Sequence, residues 1–219
     1  MCTLSNLAFA NEDNCEVIGQ TCGDEIAQVI FDFRSDKQTS KMALRALGNV
    51  ATIDSNVVFV VTEHEAVQKI MGAMESNKDD EELLTLGIEV LGNFAVVDHV
   101  IPGEDGVEED IPETLRLRMH TDGASDAVIS AMKAMPLATG VQTAALYTLM
   151  LLLVDPVVRD QMEINDDIVP LMLSAMRNHE WDPTVQSHAG MLVQQLPEKL
   201  VEEFVAGDGA RYLAQALES

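Results

Sequence analysis

The sequence predicts an all-α solenoid, a tandem stack of short helices that takes up the whole chain, 1–219, as one domain. A repeat of about 44 residues is the first observation behind that reading. Ile129-Ser130-Ala131-Met132-Lys133 matches Leu173-Ser174-Ala175-Met176-Arg177 at an offset of 44. Nine residues after each methionine stands a Val-Gln pair, Val141-Gln142 and Val185-Gln186, and three residues after each Gln an alanine, Ala145 and Ala189. The second observation is a signature of the form Leu-small-Asn-apolar-Ala, at Leu4 to Ala8, Leu47 to Ala51 and Leu91 to Ala95. With Leu151 and Gln195 in the same register, anchors fall at 6, 49, 93, 151 and 195, and the one long step, 58 residues, is a repeat plus an insertion. Nineteen residues before the last four anchors stand Ile30, Met74, Met132 and Met176. Units are therefore expected at about 1–14 (partial), 15–53, 54–98, 107–154, 155–197 and 198–219 (partial), with an acidic insertion at 101–123.

The third observation is helical periodicity inside each unit. Ile26, Val29, Ile30 and Phe33 recur at helical spacing, as do Val67, Ile70, Met71 and Met74, then Val128, Ile129, Met132 and Met135. Polar turns follow, Arg34 to Gln38, Glu75 to Asp80, Pro136 to Gly140 and Asn178 to Thr184. After each turn a helix carrying the anchor is expected to begin near Thr39, Asp79, Ala138 and Pro183. Asp182 ahead of Pro183 suits an N-cap followed by a first-turn proline. Shorter apolar segments between units, Val57 to Val61 and Pro156 to Met162, are read as short first helices, although Asn56 to Val61 alone resembles a strand. The insertion is expected to lead into a short helix around Ile111 to Met119. One unit of this kind cannot bury all its apolar faces, whereas stacked neighbours share a continuous core. The chain opens inside a third helix and closes, at Ala210 to Leu217, in the second helix of a unit. Such ends fit unusual caps, a longer parent array, or end-on docking, self-association included.

Composition narrows the function classes. Thirteen Lys and Arg against 37 Asp and Glu give a net charge of −24, which opposes direct binding to nucleic acid and favours a basic protein or peptide partner. The longest apolar run, Ala144 to Val154, is too short for a membrane span. Three cysteines, Cys2, Cys15 and Cys22, without metal-ligand spacing point to a reducing compartment, the cytoplasm or the nucleus. Phosphate-cradling glycine loops and the Gly-x-Ser-x-Gly elbow are missing, and His64-Glu65 lacks the second histidine of a zincin motif because Gln68 stands there. Neither an enzyme, nor a cofactor, nor a metal centre is expected.

Three helices per 42–44 residues, with the anchor on the last, resemble the armadillo repeat family over about Leu4 to Leu217 outside the insertion. That resemblance implies a right-handed α-solenoid whose third helices line a concave groove, with anchor asparagines that hydrogen-bond the backbone of an extended peptide. The role carries over to Asn49 and Asn93, and more loosely to Asn6 and Gln195. These asparagines equally fit a second role, tying one unit's backbone to the next. Counting back from each anchor in steps of four gives a stripe: Lys41, Arg45, Asn49; Thr85, Glu89, Asn93; Thr143, Tyr147, Leu151; Ser187, Met191, Gln195. The tryptophans that let import adaptors of this family sandwich lysine stems are absent, and the lone Trp181 sits in a turn. A polar or acidic stretch of partner is expected near Lys41 and Arg45, and an apolar side chain near Tyr147 and Met191. The expected function is a non-catalytic scaffold or adaptor that binds a partner polypeptide in the groove. The alternative is a regulator of small GTPases, because Asn6-Leu7-Ala8-Phe9-Ala10-Asn11-Glu12-Asp13-Asn14 resembles repeats of armadillo-type dissociation stimulators.

Overall fold

The computed structural model describes residues 2–101, 113–162 and 167–216. Residues 102–112 of the acidic insertion and Leu217 lie outside the described residues, as does the side chain of Cys2. Among the described residues the chain is all helical, with fourteen α-helices and a single isolated β-bridge. They are α1 (Cys2–Ala8), α2 (Glu12–Asp32), α3 (Lys37–Val50), α4 (Asp54–Glu63), α5 (Ala66–Ser76), α6 (Glu81–Val96) and α7 (Leu115–Thr121). There follow α8 (Ala124–Ala134), α9 (Thr139–Leu152), α10 (Pro156–Met162), α11 (Ile168–Asn178), α12 (Pro183–Val193), α13 (Glu198–Ala206) and α14 (Gly209–Ala216).

The helices form rows. In one, α1, α3, α6, α9 and α12 pack each on the next; in a second, α2, α5, α8, α11 and α14 do the same; α4, α7 and α10 make a third. The first two rows are joined within each unit, α2 to α3, α5 to α6, α8 to α9 and α11 to α12. Ile30, Met74, Met132 and Met176, the recurring apolar position, are all buried in the core between them. The valine-rich run from Asn56 is helix α4, which buries Val57, Val60 and Val61 against its neighbours.

Polar residues set the corners. Asp36, Asp80 and Asp182 cap α3, α6 and α12, each accepting from backbone N–H groups of the first turn. The Val-Gln signature has a physical cause here. Gln142 Nε2 donates to Met132 O and Met135 O, both at 3.0 Å, and Gln186 Nε2 to Met176 O at 2.9 Å and His179 O at 3.1 Å. Each Gln thus reaches back from one helix to the open carbonyl end of the preceding helix. Ser40, nine residues before its anchor as both glutamines are, reaches the carbonyl seven residues earlier in the same way (Oγ to Phe33 O, 2.9 Å).

Two expectations need correction. In the unit 15–53 the first and second helices are fused into α2, a single helix of 21 residues. Three comparable breaks, between α4 and α5, α7 and α8, and α13 and α14, fall where the backbone turns left-handed, at Glu65 (φ 50°), Gly123 (φ 100°) and Asp208 (φ 70°), and α2 has no such residue. The helix after the insertion starts at Leu115 rather than near Ile111, because Thr114 caps it. Thr114 also forms the bridge with Val100, flanked by Ile101 N–H to Glu113 O (2.7 Å) and Leu115 N–H to His99 O (2.8 Å). Its hydroxyl donates to Asp155, whose other oxygen caps α10. The chain on either side of residues 102–112 is therefore pinned side by side.

Candidate functional site

The stripe residues lie on α3, α6, α9 and α12, four helices stacked in order, so the side chains of four units meet on one face. Apolar neighbours on the same helices, Leu44 and Leu47, Ile88 and Leu91, Leu146 and Leu149, turn inward and are buried. Arg45, Glu89, Asn93, Tyr147, Ser187 and Met191 are exposed, and Lys41, Asn49, Thr85, Thr143, Leu151 and Gln195 are partly so. Gln195 departs from expectation in one respect: α12 ends at Val193, and Gln195 sits in the turn after it.

The α3–α6 half of the face is a charge network. Lys41 Nζ lies 2.8 Å from Asp80 and 2.7 Å from Glu82, and Arg45 Nη2 lies 2.7 Å from the other Glu82 oxygen. The hydrogen bonds from Asp80 and then Glu82 hold the Lys41 ammonium above its ordinary pKa. Burial pushes the Asp80 carboxyl up, but Lys41, the Leu83 N–H and Lys37 together outweigh it and the net direction is down. Glu82 is lowered chiefly by the Lys41 hydrogen bond and charge. Lys41 and Arg45 are consequently committed inside the protein, and the expected meeting with an acidic stretch of partner would have to displace Glu82. Glu89 is different. Desolvation by its surroundings raises its carboxyl, and Arg45 offsets this only in part.

Both anchor asparagines use their donors on the preceding unit. Asn49 Nδ2 donates to Ser5 O at 2.9 Å and Ser5 Oγ at 3.2 Å; Asn93 Nδ2 reaches Gly48 O at 3.5 Å. Of the two roles open to them from sequence, unit-to-unit fastening is the one these contacts display. Asn6 is exposed on α1 and lines a cavity of about 260 Å³ with Lys41, Arg45 and Glu82. The α9–α12 half is aromatic and apolar. Tyr147 stacks on His188 with ring centroids 5.1 Å apart, and His188 Nδ1 contacts Thr143 O at 3.1 Å. Leu151 and Met191 lie on the same two helices. Trp181 is 75% exposed in the turn before α12.

Sequence reasoning missed Asp80, Glu82 and His188. The acidic pair was legible in principle, since Glu82 stands 41 residues after Lys41, close to one repeat. His188 carried no signal beyond its place beside Ser187. Among the described residues no group of three or more His, Cys, Asp or Glu side chains is placed to hold a metal ion. Among them, too, no single helix is long and apolar enough to cross a membrane; α9 and α10 would be so only together, and they are bent by 119°.

No family model matches the chain, and no curated protein matches it. The fold does have a solved counterpart, the crystal structure of an engineered protein from the Northeast Structural Genomics Consortium. It aligns over 100% of this chain and 81% of its own with a TM-score of 0.76 and 19% identity. At that identity the likeness concerns the fold alone.

Proposed function

We propose that the chain is a right-handed armadillo-type α-solenoid and a non-catalytic scaffold or adaptor, holding a partner polypeptide along the face built by α3, α6, α9 and α12. The observation that supports this reading is the convergence of the stripe: side chains 44 or 58 residues apart in sequence lie on successive, contacting helices. The surface divides into a half closed by its own ion pairs and a half that offers Tyr147, Leu151 and Met191. Partner affinity therefore resides mainly in the second half, where an apolar side chain gains from leaving water. The asparagine carboxamides keep their oxygens as acceptors for partner N–H groups.

Panning a displayed library of random peptides tests this. Wild-type protein should enrich peptides with an apolar residue, and the variant Tyr147→Ala/Met191→Ala should bind the enriched peptides roughly tenfold more weakly or worse. Peptides that bind the variant equally well place the site elsewhere. Accelerated nucleotide release from a panel of purified small GTPases, undiminished in the same variant, would instead favour the dissociation-stimulator reading.

A further inference from the structure

A second surface lies away from that face. A groove of about 530 Å³ is lined by α4 and by the segment that leaves α6, with Val58, Phe59 and Val97 as its apolar part and Asp54, Glu63 and Asp98 as its charged part. No Lys or Arg lines it. Asp54 and Glu63 are exposed and have no ion pair among the described residues, and Asp98 keeps 88% of its side chain in solvent while touching Arg116 at 3.2 Å. Phe59 is 36% exposed and held at its edge by the His64 ring, with centroids 4.4 Å apart. Two carboxylates without a counter-cation, Asp54 and Glu63, beside a part-exposed aromatic ring are what a lysine or arginine on an apolar strip of chain would complement, through charge and cation–π attraction.

We infer that this groove docks a short basic segment of another protein, one that presents Lys or Arg next to an apolar side chain. Other occupants are disfavoured by charge. The chain's own insertion contains Glu104, Asp105, Glu108, Glu109 and Asp110, and a second copy brings a net charge of −24. Both would place like charge against Asp54 and Glu63. The surface is separate from the third-helix face, so the two readings stand or fall independently.

The test uses the full chain and a short fluorescein-labelled peptide of alternating arginine and leucine, read by anisotropy at about 0.15 M salt, where charges beyond about 8 Å are screened. A basic peptide will be drawn to so acidic a protein in general, so location is decided by variants of matched charge. Asp54→Lys/Glu63→Lys in the groove should raise the Kd roughly tenfold or more, whereas Glu202→Lys/Glu203→Lys on α13 should change it by less than about threefold. Phe59→Ala, with folding checked by circular dichroism, should also weaken binding, while Tyr147→Ala/Met191→Ala should not. Equal losses from both lysine pairs, or none from the groove pair, would overturn the proposal. So would self-association of the wild type that the groove pair abolishes, since the occupant would then be a second copy.

Discussion

Gly19 on α2 and Asn56 on α4 form a coupled pair whose energetics can be worked from their contacts. Asn56 is 1% exposed, and its Nδ2 donates to Cys15 O at 2.9 Å and Val50 O at 3.0 Å, joining three helices. A Cβ placed on Gly19 would land on the Asn56 carboxamide. Gly19→Ala alone gains about 1 kcal/mol of helix propensity but forces the amide out of its bonds. Two lost hydrogen bonds and a buried amide left unpaired outweigh that gain, for a net loss of about 3 kcal/mol. Asn56→Ala gives up the same bonds but also removes a buried, unpartnered Oδ1, so it costs less, about 1.5 kcal/mol. In the double variant the obstructing amide has gone, and the alanine at 19 delivers its propensity gain, leaving a loss of about 0.5 kcal/mol. Urea denaturation followed by circular dichroism should therefore show the double variant roughly 4 kcal/mol better than additivity. Losses that add to within about 0.5 kcal/mol would refute the contact between α2 and α4 as described.

Other outcomes follow from the same contacts. Gln142→Leu and Gln186→Leu should each cost about 1–3 kcal/mol in urea denaturation, because each strips a donor from two carbonyls at a helix end, and the losses should add. Lys41→Met should lose about 1 kcal/mol at neutral pH. Asp80 and Glu82 titrate below their ordinary 3.8 and 4.5, so their contribution is present above those values and lost as pH falls through the folded ones; the gap between wild type and variant should close in acid. The raised Lys41 ammonium closes it again in alkali, above 10.5. Glu89 has the opposite sign: its raised carboxyl penalises the charged form, so Glu89→Gln should gain a few tenths of a kcal/mol at pH 7, and the gain should vanish in acid where both states are protonated. Thermal melts across pH measure both.

The all-helical character was legible because the recurring sequence is written in residues with fixed mechanical duties. Gln142 and Gln186 recur because both seal the same corner, and Asp182-Pro183 begins α12 because capping chemistry is local. The valine run of α4 was readable only through its place in the repeat, since β-branched residues favour a strand until tertiary burial decides otherwise. What stayed hidden depends on backbone conformation or on meetings across units. Nothing in Glu65 announces that it will adopt a left-handed conformation and separate α4 from α5, and the fusion of α2 is the same blindness in reverse. The stripe was found by counting, yet counting could not say that Lys41 and Arg45 are already occupied by Asp80 and Glu82. An i+4 rule sees one helix at a time, and these pairs join two.

The bridge between Val100 and Thr114 fixes where the chain leaves the stack and where it returns. Lengthening the connection between them adds closure entropy of only about 0.6 kcal/mol for each doubling of its length. That makes the position a natural port for an epitope tag or a fluorophore, and it accounts for how one spacing can grow to 58 residues while the repeats around it hold step.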